Sequence, residues 1–420
     1  MDLKDRIESL RRMVEEVSRR ERGRKEAGAA GHGAAGSCSQ GAGRPVTLTA
    51  EAGVTVTRSA YPLDHLHGQS RLGSALSTPL RLVQVIARDF RPFPGFESTA
   101  FLDVETTGLA GGAGTLAFLV GIGRFESSSF HVTQVFLHDP AAEDELLKET
   151  TAALEGTGAI VTFNGKAFDV PLLETRYAMN RAGFPLADPL HVDLLSPSRR
   201  IWSPVLSSCS LASLEEAVLG LRRDGDIPGW LIPSVYAGYL RSGDPGAIDP
   251  VMVHNRLDIL SLAALLARLA ICFEEPTGRP ARRDGVEALG AALHYESLGL
   301  KHEALRLYEE SIDSGLPGDL LTRALWGALR LSRSERNWDC CLDRARALAA
   351  SGGDYRAWIE IAKHHEHRSK DYAAALSAAQ TALSRLSADR SLPPSSRSRA
   401  RDEINHRIRR LERRLGRDRA

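Results

Sequence analysis

The sequence has few cysteines and no apolar run long enough for a membrane span. Its five cysteines are irregularly spaced and form no CxxC pair, a pattern that argues against a disulfide framework or a zinc ribbon and fits a reducing cytosol. The most apolar stretch, LSLAALLARLAICF, is too short to cross a bilayer and contains an arginine, so it predicts a buried helix. The N-terminus has no apolar segment of the signal-peptide type. We therefore expect a cytoplasmic protein that does not contact a membrane.

An excess of charge of either sign is also absent. The 420 residues carry 54 basic and 53 acidic side chains, for a net charge of +1. The overall charge therefore predicts no partner, and local clusters must be examined instead. The length allows two or three domains and a large buried core.

Composition and periodicity divide the chain into six segments. Residues 1–25 predict an N-terminal helix whose apolar stripe either docks on the same protein or forms a dimerising coil. Residues 26–45 are rich in glycine and alanine and predict a flexible linker. The other segments are an N-terminal extension of unknown role, an α/β domain, a region of helical repeats and a basic C-terminal helix, which cover residues 46–96, 97–275, 285–385 and 386–420.

The N-terminal extension, residues 46–96, gives two local signals. The segment VTLTAEAGVTVTR alternates as a β-hairpin does. The segment YPLDHLHGQSRLG contains His65 and His67, which form either a metal-binding pair or part of a solvated loop. We expect the solvated loop.

The α/β domain, residues 97–275, alternates between strand-like and helix-like segments. Three strand-like segments come first, TAFLDVE, TLAFLVGIGRF and SFHVTQVFLH, and the later strands GAIVTFN and LHVDLL alternate with helices. Strands that first pair as hairpins and then alternate with helices predict a mixed sheet covered by helices.

Four carboxylates in three separated segments of this domain are candidates for chemistry. Asp103 and Glu105 lie in FLDVETTGL, Asp169 in VTFNGKAFDV and Asp258 in VHNRLDILSL. The first two are two residues apart on a strand and share one face. His254 and Asp258 are four residues apart and share one face of a helix. Acids gathered in an apolar pocket cannot all ionise without compensation, which a divalent metal ion supplies.

The pattern therefore predicts a site for two divalent metal ions. One ion would activate a water molecule and the other would stabilise the leaving oxygen of a phosphodiester. His254 could take the proton of the attacking water, because the pKa of histidine lies near neutrality. Each motif is common by itself, and the prediction depends on their joint occurrence on core elements.

The segments FLDVETTGL, FNGKAFD and HNRLD resemble the three exonuclease motifs of the DEDD superfamily, on the ribonuclease H-like fold. With the flanking TTGLAGGAGT and DVPLLETR, they are similar in particular to bacterial YprB-like ribonuclease H-like proteins, over about residues 97–275. The resemblance implies a 3′→5′ exonuclease that uses two Mg²⁺ or Mn²⁺ ions. It places His254 at the general-base position and implies four metal ligands, Asp103, Glu105, Asp169 and Asp258.

The spacing of His254 departs from the superfamily pattern. Members of the histidine type have four residues between this histidine and the last aspartate, members of the tyrosine type have three, and this chain has histidine with three. His254 therefore either acts as the base or only orients the water.

The resemblance also implies residues that contact the substrate. Thr106, Gly108 and Leu109 resemble the segment that touches the terminal nucleotide, although a tight turn explains them equally well. Asn164 can hold the loop that precedes Asp169.

The region of helical repeats, residues 285–385, shows a period of 34. Trp338 and Tyr372 are one period apart, as are Leu342 and Leu376. These spacings resemble the tetratricopeptide (TPR) pattern and predict an all-α, TPR-like domain. Such repeats present a concave surface that suits a protein partner.

The C-terminal segment is basic. Ten arginines and four acidic residues lie between positions 397 and 419, and the apolar residues Ile404, Ile408, Leu411 and Leu415 fall on one helical face. The arginines either hold phosphates or form a solvated face of the helix.

We predict a metal-dependent nuclease, specifically a 3′→5′ exonuclease that acts on a single strand or a 3′ end of DNA or RNA. One alternative is a nucleic-acid-binding adaptor that recruits partners through the TPR-like repeats. Another is a ribonuclease H-type endonuclease. The complete set of acids argues against the adaptor, and the spacing of His254 and Asp258 favours the exonuclease.

Overall fold

The computed structural model describes residues 46–51, 53–108, 114–274, 283–352, 354–389 and 392–417. The predicted N-terminal helix, the predicted linker and Leu109 lie outside these residues. The chain forms two compact units. The first runs to Phe273 except for residues 200–205, and the second contains residues 200–205 and those from Glu274 onward.

The first unit contains a sheet and the helices that cover it. Its strands are β1 (Val46–Glu51), β2 (Val54–Pro62), β3 (Leu66–His67), β4 (Ser70–Arg71), β5 (Thr99–Thr106), β6 (Ala117–Glu126), β7 (Ser129–Leu137), β8 (Ala159–Thr162) and β9 (Leu190–Asp193). Its helices are α1 (Leu80–Ala87), α2 (Glu143–Ala153), α3 (Asp169–Met179), α4 (Leu195–Trp202), α5 (Leu211–Leu214, followed by a π-helical turn at Glu215–Leu219), α6 (Ile232–Ser242) and α7 (Asp249–Phe273).

In the described part of the chain, the main sheet has seven strands in the order β1-β2-β7-β6-β5-β8-β9. The neighbouring pairs β1–β2, β2–β7, β7–β6 and β6–β5 are antiparallel. Strand β8 lies parallel to β5, and β9 lies parallel to β8. This confirms the predicted mixed sheet. Strands β5, β6 and β8 are buried almost throughout, as expected where helices cover a sheet.

The N-terminal extension supplies part of this sheet. The predicted hairpin is β1 and β2, and β2 pairs with β7 along its whole length, from Val54 opposite Leu137 to Pro62 opposite Ser129. The segment whose role was unknown from the sequence therefore covers what would otherwise be an edge of the sheet.

The expectation that His65 and His67 lie in a solvated loop is wrong. Both side chains are buried, and His67 is 0% exposed. The His67 ring binds the Ser261 hydroxyl, with 2.6 Å between Nε2 and Oγ. Burial follows from the tight turn after it, where Gly68 has a φ of +61° and packs against the backbone of Leu219.

Helix α7 is the buried helix that the longest apolar stretch predicts. Its residues from Ile259 to Ala267 are all buried, as expected for a helix surrounded by protein. Among the helices of the described residues, none is long and apolar enough to cross a membrane.

The second unit is a series of consecutive helices. They are α8 (Gly285–Ser297), α9 (Lys301–Asp313), α10 (Gly318–Ser334), α11 (Trp338–Gly352), α12 (Tyr355–His364, followed by a π-helical turn at His365–Ser369), α13 (Tyr372–Ala388) and α14 (Pro394–Arg417). Each helix packs against the next one in the chain, which confirms the all-α region.

Small residues let these helices approach closely. Ala304 and Ala345 are 0% exposed. A Cβ at Gly327 would lie 2.4 Å from the Tyr308 ring, so this position accepts only a glycine without movement of the ring.

The basic C-terminal segment forms α14, which packs through Ile404 and Leu411. Two of its arginines face inward, since Arg407 and Arg410 both bind the carboxylate of Glu366, a residue with 0% exposure. The apolar stripe read from the sequence is therefore the docking face of this helix.

Candidate active site

Strand β5 places Asp103 and Glu105 side by side. Their neighbours Leu102 and Val104 are buried on the opposite face, whereas the two acids are partly exposed. On the adjacent strand β6, Gly121 lies opposite Asp103. A Cβ at Gly121 would lie 2.3 Å from Asn255 Oδ1, so the absent side chain makes room for this amide.

The Asn255 amide fixes the Asp103 carboxylate. Its Nδ2 donates to Asp103 Oδ2 at 2.8 Å. Its Oδ1 accepts from Gln134 Nε2 at 2.9 Å, and the same Gln134 amide donates to the backbone of Met252. Sequence reasoning missed Asn255 and Gln134. The sequence signal that could have identified them was an amide side chain within an apolar segment, Gln134 on β7 and Asn255 on α7.

Asp169 is the first residue of α3 and is 6% exposed. The loop before it is held by Asp193, whose carboxylate accepts backbone N–H groups from Asn164 at 2.9 Å and Lys166 at 3.1 Å. Asn164 has a φ of +67°, a left-handed conformation that asparagine tolerates. Its side chain is exposed.

Burial and mutual repulsion hold protons on these acids. Burial raises the pKa of Asp103 well above its usual range, and the charges of Asp258, Glu105 and Asp169 add to this effect. Burial likewise raises the pKa of Glu105 to about 8, although the nearby His254 opposes the rise. Burial raises the pKa of Asp169 to about 7 against two backbone N–H groups that favour its charge. The sequence-predicted acids therefore converge in one buried pocket.

His254 and Asp258 approach this pocket from α7. The distances from His254 Nε2 are 3.6 Å to Asp258 Oδ2 and 4.0 Å to Glu105 Oε1. On the other side of the ring, Nδ1 is 2.9 Å from Asp226 Oδ2. Burial lowers the pKa of His254, but the hydrogen bond to Asp226 and the charges of Asp258 and Glu105 outweigh burial and raise it to about 9.

Arg223 carries the compensating positive charge beside Asp258. Its guanidinium contacts Asp258 Oδ1 at 2.5 Å and Asp226 Oδ2 at 3.1 Å, and it also binds Glu215. These carboxylates raise the pKa of Arg223 despite its burial. Sequence reasoning missed Arg223, Asp226 and Glu215. They lie in or beside a loop without periodic pattern, where no sequence signal marked them.

The donor set fits a divalent cation. Glu105, His254 and Asp258 each offer one ligand atom, and these atoms all lie within 4.8 Å of one another. Carboxylate oxygens are the ligands that Mg²⁺ and Mn²⁺ prefer. A cation there would allow the protonated acids to ionise.

Two of the predicted substrate-contact residues, Thr106 and Gly108, are hydrogen-bonded to each other at the end of β5. Thr106 is buried, and its hydroxyl donates to the backbone oxygen of Gly108 at 2.8 Å. The hydroxyl of Thr107 accepts the backbone N–H of Leu116 at 2.9 Å. The turn therefore closes immediately beside Glu105.

A mixed sheet with helices, and an acidic pocket where β5, α3 and α7 meet, define a ribonuclease H-like domain. Residues 100–270 match the RNase_H_2 model of the RNase_H superfamily. The chain is 31% identical over 330 residues to protein YprB of Bacillus subtilis (strain 168), an alignment that covers 77% of this chain and 79% of YprB. The protein therefore belongs to the YprB family.

One solved structure is also similar, the family B DNA polymerase from the hyperthermophilic archaeon Pyrobaculum calidifontis. The match has a TM-score of 0.34 and 15% identity, and it covers 47% of this chain and 29% of that chain. A likeness of this size carries no functional argument. The superfamily domain itself supports a nuclease-type function that acts on nucleic acid and depends on divalent metal ions.

Proposed function

We propose that the protein is a metal-dependent 3′→5′ exonuclease of the DEDD type that hydrolyses phosphodiester bonds of DNA or RNA. The observation that carries the proposal is the convergence of Asp103, Glu105, Asp169 and Asp258 in one largely buried pocket, where burial, with repulsion between the carboxylates added to it, raises the pKa of the first three. Such an arrangement is costly unless a cation binds.

The charges of the pocket suit two divalent ions. The acidic cluster consists of six carboxyl groups, Asp103, Glu105, Asp169, Glu215, Asp226 and Asp258. Within it lie one guanidinium, Arg223, and one imidazole, His254. With the six acids and Arg223 charged and His254 neutral, five negative charges remain, and two Mg²⁺ or Mn²⁺ ions would neutralise all but one of them.

When bound, the metal ions supply an activated water and stabilise charge on the leaving oxygen. The protein contributes orientation and proton transfer. Because Asp226 holds His254 at Nδ1, the atom left to face the pocket is Nε2. Nearby cations disfavour the charged imidazole, so metal binding would lower the pKa of His254 and free Nε2 either to accept a proton or to orient the water.

Substrate contacts are proposed at the rim of the pocket. Thr106 and Gly108, at the end of β5 just after Glu105, and Asn164, in the loop before Asp169, are proposed to contact a terminal nucleotide. Leu109, which lies outside the described residues, is proposed as a further contact. The loop conformation at Asn164 is held by Asp193, which supports a fixed rather than adaptable contact.

The helical unit is proposed to be TPR-like and to bind a protein partner. The close packing of Gly327 against Tyr308, and the buried Ala304 and Ala345, support this assignment, because small residues at fixed positions are characteristic of such repeats.

The test is release of mononucleotides from end-labelled single strands in Mn²⁺. A 3′ label should be lost first, and a 5′ label should give a descending ladder. Asp169→Asn should abolish release, whereas Glu174→Gln, an exposed carboxyl on the same helix α3, should not. If wild type and Asp169→Asn instead bind the single strand equally and neither cleaves it, the result favours the alternative of a nucleic-acid-binding adaptor.

A circular single strand separates the exonuclease from an endonuclease, because an exonuclease cannot begin on it. Cleavage of the circle, or of an RNA–DNA hybrid without free ends, would overturn the exonuclease in favour of ribonuclease H-type activity.

A further inference from the structure

Arg223 occupies a loop between the π-helical turn and α6, yet its side chain is 9% exposed. Its guanidinium reaches carboxylates from three places in the chain: Glu215 in the π-helical turn, Asp226 in the loop itself and Asp258 on α7. A single side chain therefore fixes three acids that lie on three different segments, the π-helical turn, the loop and α7.

Two of these contacts close an ionic ring, which consists of Arg223, Asp258, His254 and Asp226. Arg223 holds Asp258 by Oδ1 at 2.5 Å, so the second oxygen, Oδ2, faces His254 Nε2 at 3.6 Å. Arg223 also holds Asp226 at 3.1 Å, and Asp226 in turn binds His254 Nδ1 at 2.9 Å. The ring sets the direction of the His254 and Asp258 side chains, both on α7.

A buried chain of hydrogen bonds, which runs from His67 through Ser261 to Glu215, holds Arg223 in this ring. The Ser261 hydroxyl donates its one proton to Glu215. The His67 ring, 2.6 Å away, must therefore donate to Ser261 through Nε2–H. Burial lowers the pKa of His67 to about 3, which is consistent with a neutral ring in this chain. Glu215, with 1% exposure, then holds Arg223.

We propose that Arg223 is a positioning residue, which turns Asp258 Oδ2 toward the cation pocket and, through Asp226, fixes the His254 ring. This inference rests on the proposed function, because it takes Asp258 as a metal ligand. A planar guanidinium bridges several carboxylates with fixed angles, whereas a lysine ammonium supplies the same charge without that geometry.

The experiment measures Mn²⁺ binding to the full chain by titration calorimetry. Arg223→Lys keeps the buried positive charge and should fold, but it should weaken Mn²⁺ binding roughly 10- to 100-fold, the usual effect of losing a group that orients a metal ligand. Arg222→Lys is the matched control, because the neighbouring Arg222 forms an exposed pair with Glu216 at 3.0 Å. Equal Mn²⁺ affinity of the two variants would overturn the proposal.

A second comparison asks whether Arg223 acts through Asp258. In an Asp258→Asn background, Arg223→Lys should cause little further loss of Mn²⁺ affinity, because the carboxylate that it positions is already gone. If the two substitutions instead weaken Mn²⁺ binding independently, so that their fold-losses multiply, the proposal is overturned and Arg223 has only a general structural role. Failure of wild type to release nucleotides would reject the proposed exonuclease, whereas these binding measurements judge Arg223 without reference to catalysis.

Discussion

The amide of Asn255 is the one side-chain donor found on Asp103 among the described residues, at 2.8 Å from Oδ2. The two residues are 152 positions apart in the sequence. The contact joins the central strand β5 to the long helix α7, and it depends on Gly121, which leaves the space that the amide occupies. The position of this acid therefore depends on a glycine of the neighbouring strand β6.

Gly121→Ala should both destabilise the protein and reduce nuclease activity. The added Cβ would meet Asn255 at 2.3 Å, and overpacking of a filled core costs about 1–3 kcal/mol. Displacement of Asn255 would also release Asp103. Denaturant unfolding and nucleotide release in Mn²⁺ measure the two effects. The control is Gly183→Ala, where no atom lies within 4 Å of the new Cβ, and an equal response of both variants would contradict this reading.

Asp103→Asn should keep or raise the stability of the metal-free protein. The change replaces a buried carboxyl that must either bear an unfavourable charge or take up a proton on folding, and it preserves the shape of the side chain. The same variant should lose the stabilisation by Mn²⁺, which for wild type should reach about 2.7 kcal/mol at a 100-fold excess over Kd. Thermal unfolding with and without Mn²⁺ tests both points. A metal-free variant less stable than wild type would indicate that Asp103 is a structural acid.

The metal-free protein should lose stability as the pH rises from about 4 to 9. Burial raises the pKa of Glu105 to about 8 and of Asp169 to about 7, whereas both lie near 4 in an unfolded chain. The folded state therefore binds more protons, and this stabilisation is lost as the pH rises through the folded values. His254, with its pKa raised to about 9, contributes a loss in the same direction.

Thermal unfolding between pH 5 and 9 checks this prediction. Saturating Mn²⁺ should flatten the dependence, because cations then replace the protons of the pocket. Glu105→Gln should reduce the slope of the metal-free protein. A metal-free unfolding temperature that is constant or rises up to pH 8 would contradict the assigned burial of these acids.

The outward face of α14 should contribute to nucleic-acid affinity. Arg401, Arg409 and Arg413 form no ion pair within the part of the chain that the structure describes, and all three are exposed. Replacing them with serine should reduce the slope of log K against log salt by about 2, since each phosphate contact on a single strand contributes about 0.7. An unchanged slope would show a solvated face only.

The control for this change is Arg399→Ser, because Arg399 already pairs with Glu403 at 3.3 Å on the same helix. Removal of the whole helix is a poorer test. Its Ile404 and Leu411 are buried, so truncation would also expose the core of the helical unit.

Much of the fold could be predicted because periodicity and burial coincide. The strand through Asp103 and the helix through Asp258 carry apolar patterns that each match one kind of element. Their acids interrupt those patterns, and an acid on a core element signals a functional site. The convergence of the four acids follows from these two facts and the order of the strands.

The partners of the acids could not be predicted in the same way. Arg223 and Asp226 lie in a loop, where charged residues are ordinary and no period distinguishes buried from exposed. His67 lies in the segment DHLHGQS, in which all residues but Leu66 are polar or turn-forming, a composition typical of a solvated loop. Its burial depends on Leu219 and Ser261, contacts that only the tertiary structure reveals.

The pairing of β2 with β7 determines where a fragment that contains the ribonuclease H-like domain can begin. A fragment that begins at residue 97 would lack β1, β2 and His67, although it would retain every predicted catalytic acid. It would leave the hydrogen-bonding groups of β7 that face β2, between Ser129 and Leu137, without partners, and an uncovered strand edge of that length readily adds a strand from another molecule. A fragment that keeps this edge of β7 covered therefore starts at or before Val54, well upstream of the first recognisable motif.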